Sequence, residues 1–137
     1  MTRLIHLSEA ASMAIHAMVR LAADPNGFLT TREIASGLNV SEAHLSKVIQ
    51  RLAKYGLVKS VRGPGGGTRL DKPASQVSLL EILESVDGPL DDNSCLLSNG
   101  PCDRIKCIFY GLVNPLNTQI REYLTKTTIN KLARSGV

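Results

Sequence analysis

Three cysteines give this 137-residue chain its clearest capacity for metal or redox chemistry. Cys95, Cys102 and Cys107 are separated by six and four residues, and the sequence has no other cysteine. Thiolates at this density suit Zn²⁺ or an iron–sulfur cluster, because a loop can wrap sulfur ligands around either. The spacing alone leaves open unligated or redox-active thiols. If the chain is cytoplasmic, as expected below from its lack of a signal-peptide core, an odd number of cysteines argues against a disulfide framework.

The segment that carries these cysteines is a predicted loop. Residues 90–106 contain turn formers and acids and show no sustained hydrophobic periodicity. Beyond the cysteines the pattern changes to a long apolar helix, in which Pro115 predicts a kink or a brief break near Asn114. Thr127 or Thr128 is expected to cap a short final helix. Because so apolar a helix needs a partner, we expect it to pair with its copy in a symmetric dimer.

The stretch from Ser41 to Leu70 has the features of a DNA-binding surface. Ser41 is a preferred N-cap residue, and the apolar residues after it recur at helical spacing, so one stripe of this helix must be buried. The opposite face carries polar and basic side chains, namely His44, Lys47, Gln50, Arg51 and Lys54. Upstream, Thr30 and Glu33 have the spacing of a capping box, and residues 37–40 form the tight turn of a predicted helix-turn-helix.

A glycine-rich hairpin is predicted after this helix. Residues 58–61 are expected to form a strand, residues 62–67 (RGPGGG) a tight turn, and residues 68–70 the returning strand of a two-stranded hairpin. A basic helix is often only a solvated face, and a glycine-rich loop only a turn. Their succession within about 40 residues is far more specific. The sequence therefore predicts a mainly α winged helix-turn-helix with a small β-hairpin wing, which binds double-stranded DNA.

The predicted fold assigns roles to individual residues. The start of the reading helix is expected to reach base edges, and the polar and basic residues further along it are expected to reach phosphate. The hairpin tip is expected to enter the adjacent minor groove, where glycines let the backbone come close. The predicted DNA-binding residues are Thr31; Ser41, His44, Ser46 and Lys47 at bases; Gln50, Arg51 and Lys54 at phosphate; and Arg62, Gly63, Pro64, Gly65 and Gly66 at the tip.

Composition and charge agree with this interpretation. Apolar residues make up 43% of the chain, which is typical of one globular core. Up to position 75 there are ten Lys and Arg against five Asp and Glu, and beyond it six against seven, so the positive charge lies with the reading helix and wing. No apolar run is long enough for a membrane span and residues 1–20 lack a signal-peptide core, so we expect a cytoplasmic protein with no membrane partner.

The remaining elements frame the domain. Residues 7–22 are expected to form a helix that packs beneath the helix-turn-helix, and a helix beginning after Ser78 is expected to end at residues 87–89. The expected division is a winged-helix domain at 1–88, a cysteine loop at 89–107, and a dimerisation helix with a short terminal helix at 108–137.

Nearly the whole chain, residues 3–134, resembles the winged-helix iron–sulfur regulators of the IscR/NsrR type, the Rrf2 family. The resemblance is carried by residues 45–49 (LSKVI), 56–58 (GLV), 60–67 (SVRGPGGG) and 128–132 (TINKL), and by the three cysteines. It implies a homodimeric regulator, with repressors among its relatives, that binds an operator expected to be palindromic. It also implies that the cysteines ligate a 2Fe–2S or 4Fe–4S cluster whose state, set by redox conditions, nitric oxide or iron–sulfur supply, tunes operator affinity.

The resemblance also bears on the fourth cluster ligand. One branch has a histidine three residues after the last cysteine, where this chain has Tyr110, a poor substitute. In other branches of the family that this chain resembles, the fourth ligand is an acidic or histidine residue of the first helix, contributed by the opposite subunit. By that likeness His16 is the first candidate and Glu9 the second, while Ser12 matches an acid of one branch. The middle cysteine divides the family's spacing unequally, and Thr68 replaces a frequent aromatic residue in the wing.

The cysteines would also be compatible with two other functions. A regulator without a cluster would use the cysteines as a thiol sensor or be controlled by a protein partner. An enzyme with a cysteine nucleophile and His16 is disfavoured, because no base-and-orienter set and no nucleotide-binding glycine motif accompany the cysteines. We therefore expect a regulator and not an enzyme.

Overall fold

The computed structural model describes residues 7–90 and 110–135, and within them the fold is mainly α with one small antiparallel sheet. The predicted fold class is confirmed. Cys95, Cys102 and Cys107, with almost all of the predicted loop, lie outside the described residues. No helix in the described ranges is long and apolar enough to cross a lipid bilayer.

The central helix, α1, spans Glu9–Ala23 and is capped by Ser8, whose hydroxyl accepts from the backbone of Ala11 at 3.0 Å. Helix α1 packs against the helices that follow, as predicted, but it is buried over most of its circumference and not along one stripe. The buried residues are Ala11, Met13, Ala14, Ala17, Met18, Val19 and Leu21. Leu7, included in the predicted helix, precedes α1 and is exposed because the helix begins at the Ser8 cap.

Helices α2 (Thr31–Leu38) and α3 (Glu42–Lys54) form the predicted helix-turn-helix. The capping box is complete, since the backbone of Glu33 donates to Thr30 Oγ1 at 3.1 Å and the backbone of Thr30 donates to Glu33 Oε2 at 2.7 Å. Asn39 ends α2 in the left-handed conformation. Ser41 then caps α3 by accepting from the backbone of His44 at 3.3 Å. The orientation of the reading helix therefore depends on short polar residues at both ends of one turn.

The sheet has three strands, whereas a two-stranded hairpin was predicted. Strands β2 (Val58–Val61) and β3 (Gly67–Leu70) form the hairpin, and β1 (Phe28–Leu29) pairs with the other edge of β3. A strand of two residues is too short to show an alternating pattern, so its pairing is decided by tertiary contacts. Through β1 the wing is joined to the segment between α1 and α2.

Helix α4 (Leu79–Asp87) closes the domain after a 3₁₀ turn at Ala74–Gln76. Ser78 and Glu81 form a second capping box, and Lys72 Nζ lies 2.8 Å from Glu81 Oε1. Burial alone would raise the pKa of Glu81, but the hydrogen bonds from Lys72 and Ser78 and the charge of Lys72 lower it below its ordinary value.

Helix α5 spans Tyr110–Lys126 and continues through Pro115, so the break predicted as one alternative near Asn114 is not found. Proline lacks the N–H that would bond to the carbonyl of Gly111. Both Pro115 and Gly111 are exposed, so water can bind that carbonyl and the helix can continue.

The short helix α6 (Ile129–Arg134) packs against the winged-helix core. Ile129 is fully buried, its backbone donates to the Val77 carbonyl at 3.0 Å, and Leu79 donates to the Thr127 carbonyl at 3.0 Å. Thr128 occupies the N-cap position, but its hydroxyl bonds to the side chain of Asn130 and makes no cap hydrogen bond. The terminal helix thus contacts the first domain, while the division at residues 88 and 107 stays a prediction.

Candidate nucleic-acid interface

The exposed face of α3 is formed by residues that alternate with its buried stripe. Leu45, Val48, Ile49 and Leu52 are buried, whereas Lys47, Gln50 and Lys54 are exposed. Residues three and four apart stand on one side of a helix, so these three side chains form a single row opposite the core. Helix α3 therefore presents two cations and one amide to solvent, as the predicted contacts with DNA require.

Other predicted members of the set lie on the flanks of α3. His44 is exposed, and Ser46 is half-buried beside the core stripe. Arg51 donates from Nη1 to the carbonyl of Val86, near the end of α4, at 3.2 Å. The sequence predicted a phosphate contact for Arg51, and the structure gives its guanidinium a partner inside the protein.

The wing tip is a tight turn that requires glycine. The backbone of Gly66 donates to the Gly63 carbonyl at 2.8 Å, and Gly63 and Gly65 have φ values of 104° and 76°. Residues other than glycine rarely adopt these positive φ values. Arg62 and Pro64 are exposed at this tip, as their predicted entry into a minor groove requires.

A groove, called here the wing groove, separates the helix-turn-helix from the wing and has a volume of about 310 Å³. Its lining consists of Thr30, Thr31, Arg32, Glu42, Ser60, Val61, Gly63, Gly66, Gly67 and Thr68. Of the predicted set, it brings together Thr31, Gly63 and Gly66. Arg32 and Glu42 were missed. They come from two different helices, and only the geometry of the turn brings them together.

Thr68 does not face solvent. It is 2% exposed and pairs with Ser60, so the position that carries an aromatic residue in many resembling proteins points inward here. The next pair, Lys59 and Arg69, is exposed, and Lys59 Nζ lies 3.4 Å from Asp71. Any DNA contact at this point of the wing would therefore have to come from the exposed neighbours of Thr68.

The candidate ligands on α1 line a second depression, called here the α1 depression. Its volume is about 220 Å³ and its lining is Glu9, Ser12, Met13, His16, Leu38 and Val40. His16 is exposed, and its Nδ1 lies 2.7 Å from the Ser12 carbonyl. If Nδ1 carries the proton and donates to that carbonyl, the Nε2 lone pair is free to bind a metal.

Within the described ranges, no three His, Cys, Asp or Glu side chains come together as a metal site would require. The three cysteines that such a site would need lie outside those ranges.

Comparison with known proteins identifies the family. The profile described as "Rrf2: Iron-dependent Transcriptional regulator" matches residues 7–135. The chain belongs to the Rrf2 family. It is similar to IscR of Escherichia coli K12, named an HTH-type transcriptional regulator, with 30% identity over 132 residues that cover 96% of this chain and 82% of that protein. IscR of Cronobacter sakazakii matches equally, with 30% identity over 132 residues. This Rrf2 chain is therefore a DNA-binding transcriptional regulator, as predicted, and not an enzyme.

Solved structures agree with the Rrf2 fold. CymR of B. subtilis, described as a global cysteine regulator, superposes with a TM-score of 0.81 at 26% identity, covering 96% of this chain and 98% of that one. IscR of T. potens superposes with a TM-score of 0.75 at 24% identity, covering 97% and 89%. The Rrf2 fold is thus shared with both of these solved proteins.

Proposed function

We propose that this Rrf2 regulator is a cytoplasmic homodimer whose affinity for a palindromic operator is tuned by a 2Fe–2S or 4Fe–4S cluster. Four side chains would hold the cluster: Cys95, Cys102, Cys107 and His16. The observation that carries the proposal is the α1 depression, because the candidate ligand His16 shares it with Leu38 and Val40 of the helix-turn-helix.

The donor set suits such a cluster. Three thiolates and one neutral imidazole are ligands that iron–sulfur centres accept. The contact between His16 Nδ1 and the Ser12 carbonyl would orient the ring and direct Nε2 away from the helix. Glu9 lines the same depression and is the second candidate. When bound, the cluster would supply redox chemistry and sensitivity to nitric oxide.

The same depression supports a route to DNA. Leu38 and Val40 flank Asn39, whose left-handed backbone forms the turn between α2 and α3. A change in what His16 binds therefore bears directly on the turn that orients the reading helix. Two reading helices must keep a fixed separation to match two half-sites, so a small shift changes affinity.

Helix α5 supports pairing with a second copy. Leu112 and Tyr123 on this helix are 52% and 60% exposed. Leu116 and Ile120 between them are half-buried. Large apolar side chains along one helix are typical of a dimer interface.

The second candidate is a thiol sensor without a cluster. It is favoured by the likeness to B. subtilis CymR, the global cysteine regulator, with its TM-score of 0.81. In that case oxidation of Cys95, Cys102 or Cys107 would alter operator affinity directly.

Anaerobic isolation distinguishes the two candidates. Iron and sulfide content, visible absorbance and Mössbauer spectra are measured, and operator affinity is followed during exposure to air or nitric oxide. We expect the chromophore to bleach as the affinity changes, and the spectrum of His16→Ala to differ while that of Glu9→Gln is retained. An operator affinity that stays constant while the chromophore bleaches contradicts the cluster mechanism. Iron-free protein whose affinity still responds to oxidants through its cysteines establishes the thiol sensor.

A further inference from the structure

The wing groove contains two charged side chains, neither of which belongs to the predicted set of DNA contacts. Arg32 and Glu42 line it together with the hydroxyl side chains of Thr30, Thr31 and Ser60. One wall is formed by the first residues of α2 and α3 and the other by the wing. It is therefore a polar groove with one cation and one anion.

The docking geometry of a winged helix determines what occupies this groove. When α3 lies in the major groove and the wing tip enters the adjacent minor groove, one sugar–phosphate strand separates the two. That strand must run between α3 and the wing, which is where the wing groove lies. The groove consequently meets phosphodiesters.

In this docking geometry Glu42 would lie beside the strand and away from the base edges. It stands three and four residues before Leu45 and Ser46, on the side of α3 that borders the core and the wing groove. Lys47, Gln50 and Lys54 occupy the face of α3 opposite its core stripe. A carboxylate beside phosphate is repelled, so Glu42 opposes DNA binding unless a cation lies near it.

Arg32 is that cation. Its Nε lies 3.9 Å from Glu42 Oε2, and the two side chains are 85% and 58% exposed. Within residues 7–90 and 110–135, the structure shows no other hydrogen bond or ion pair for Arg32. Exposed ion pairs contribute little to stability, so this pair opens readily. The guanidinium is thus available to a phosphate, with which it forms strong forked hydrogen bonds.

We propose that the wing groove binds a DNA backbone phosphodiester through Arg32, and that Glu42 is a counter-charge that weakens this contact. The pair lowers sequence-independent affinity and leaves discrimination to the exposed face of α3. The inference requires only DNA binding and does not depend on the cysteine-held cluster.

Salt-dependent binding to an arbitrary duplex tests the proposal. Glu42→Gln and Arg32→Gln are titrated against a labelled duplex of unrelated sequence over a range of salt concentrations. Glu122→Gln, an equal charge change at an exposed position of α5, is the matched control. All proteins are compared in the same anaerobic preparation, so that cluster content does not vary with the comparison.

Removing the Glu42 charge should raise affinity about threefold, as expected for one charge a few ångströms from phosphate in water. Arg32→Gln should lower affinity about fivefold near physiological salt and reduce the slope of log affinity against log salt by about 0.9, which is one phosphate contact. Both effects should be equal for all sequences. Glu122→Gln should leave affinity within the error of the wild type.

Three results would overturn the proposal. One is a Glu42→Gln variant that alters the ranking of base-substituted operators, because Glu42 would then read bases. Another is a slope unchanged by Arg32→Gln. The third is a rise in affinity for Glu122→Gln that matches the rise for Glu42→Gln. Thermal melting of each variant, together with charge-retaining Glu42→Asp at wild-type affinity, separates the loss of charge from a disturbed α3.

Discussion

Replacing Arg51 tests whether a basic residue of the reading helix acts on DNA or inside the protein. Its guanidinium donates to the Val86 carbonyl at 3.2 Å. That carbonyl lies in the last turn of α4, where no later helical N–H can bond to it. We therefore expect Arg51→Met to lower the free energy of unfolding and to leave phosphate contacts unchanged.

The magnitude follows from the geometry of this contact. A hydrogen bond from a charged donor contributes about 1.5–3 kcal/mol when buried, and the lower end applies here because Arg51 is largely exposed. A cation at the end of a helix adds about 0.3–1 kcal/mol. Solvent screens an exposed charge, so these contributions are discounted, and the methionine stem adds no loss of packing. We therefore expect a loss of about 1–2 kcal/mol, or about 4–8 °C in Tm for a chain of this size.

The assay pairs thermal melting with salt-dependent DNA binding, at one protein concentration because dimer formation makes Tm concentration-dependent. Lys54→Met is the control, since Lys54 is exposed on the same helix. It should keep its Tm within about 2 °C and lose about 0.9 from the salt slope. An unchanged Tm with a reduced salt slope for Arg51→Met would refute the structural role of Arg51 and support its predicted phosphate contact.

Two further predictions concern the wing and α4. A Cβ at Gly66 would lie 2.3 Å from the Val61 carbonyl oxygen, so Gly66→Ala should open the wing turn. We expect DNA affinity to fall at least about tenfold with little change in Tm. The control Pro64→Ala should change neither DNA affinity nor Tm. The pKa of Glu81 is lowered in the folded protein, so its ionised carboxylate stabilises the fold. This stabilisation is fully present at pH values above the ordinary carboxyl pKa, and it is lost as the pH falls through the lowered pKa. Urea unfolding of Glu81→Gln should therefore show a deficit at neutral pH that shrinks in acid, and a deficit independent of pH would contradict the pairing with Lys72.

Local chemistry explains which elements the sequence predicts well. The capping box at Thr30 and Glu33, the Ser41 cap and the strand at Val58–Val61 all form where they were predicted. The two caps depend on residues within four positions of one another, so no distant contact can easily override them. The strand pairs with Gly67–Leu70 across the glycine turn, and that turn between two short runs of strand formers indicates a hairpin. The glycine turn of the wing is similarly local.

Features that depend on distant contacts were missed. The two residues of β1 become a strand only because β3 lies beside them. The approach of Arg32 to Glu42 depends on the angle between two helices. Helix α6 was predicted, but its packing against α1 was not, because Ile129 alone does not indicate which surface it covers. Sequence periodicity shows that a face is buried and does not identify its partner.

The backbone hydrogen bonds that join Thr127 and Ile129 to Leu79 and Val77 have a mechanical consequence. They hold the C-terminal end of α5 against the winged-helix domain that carries the reading helix. At this end of α5, within the described residues, no flexible linker lies between the two that could absorb a rotation of α5. If two copies pair along α5, a rotation of one α5 helix against the other would turn both winged-helix domains with it. The distance between the two reading helices would then depend directly on the angle at which the two α5 helices pair.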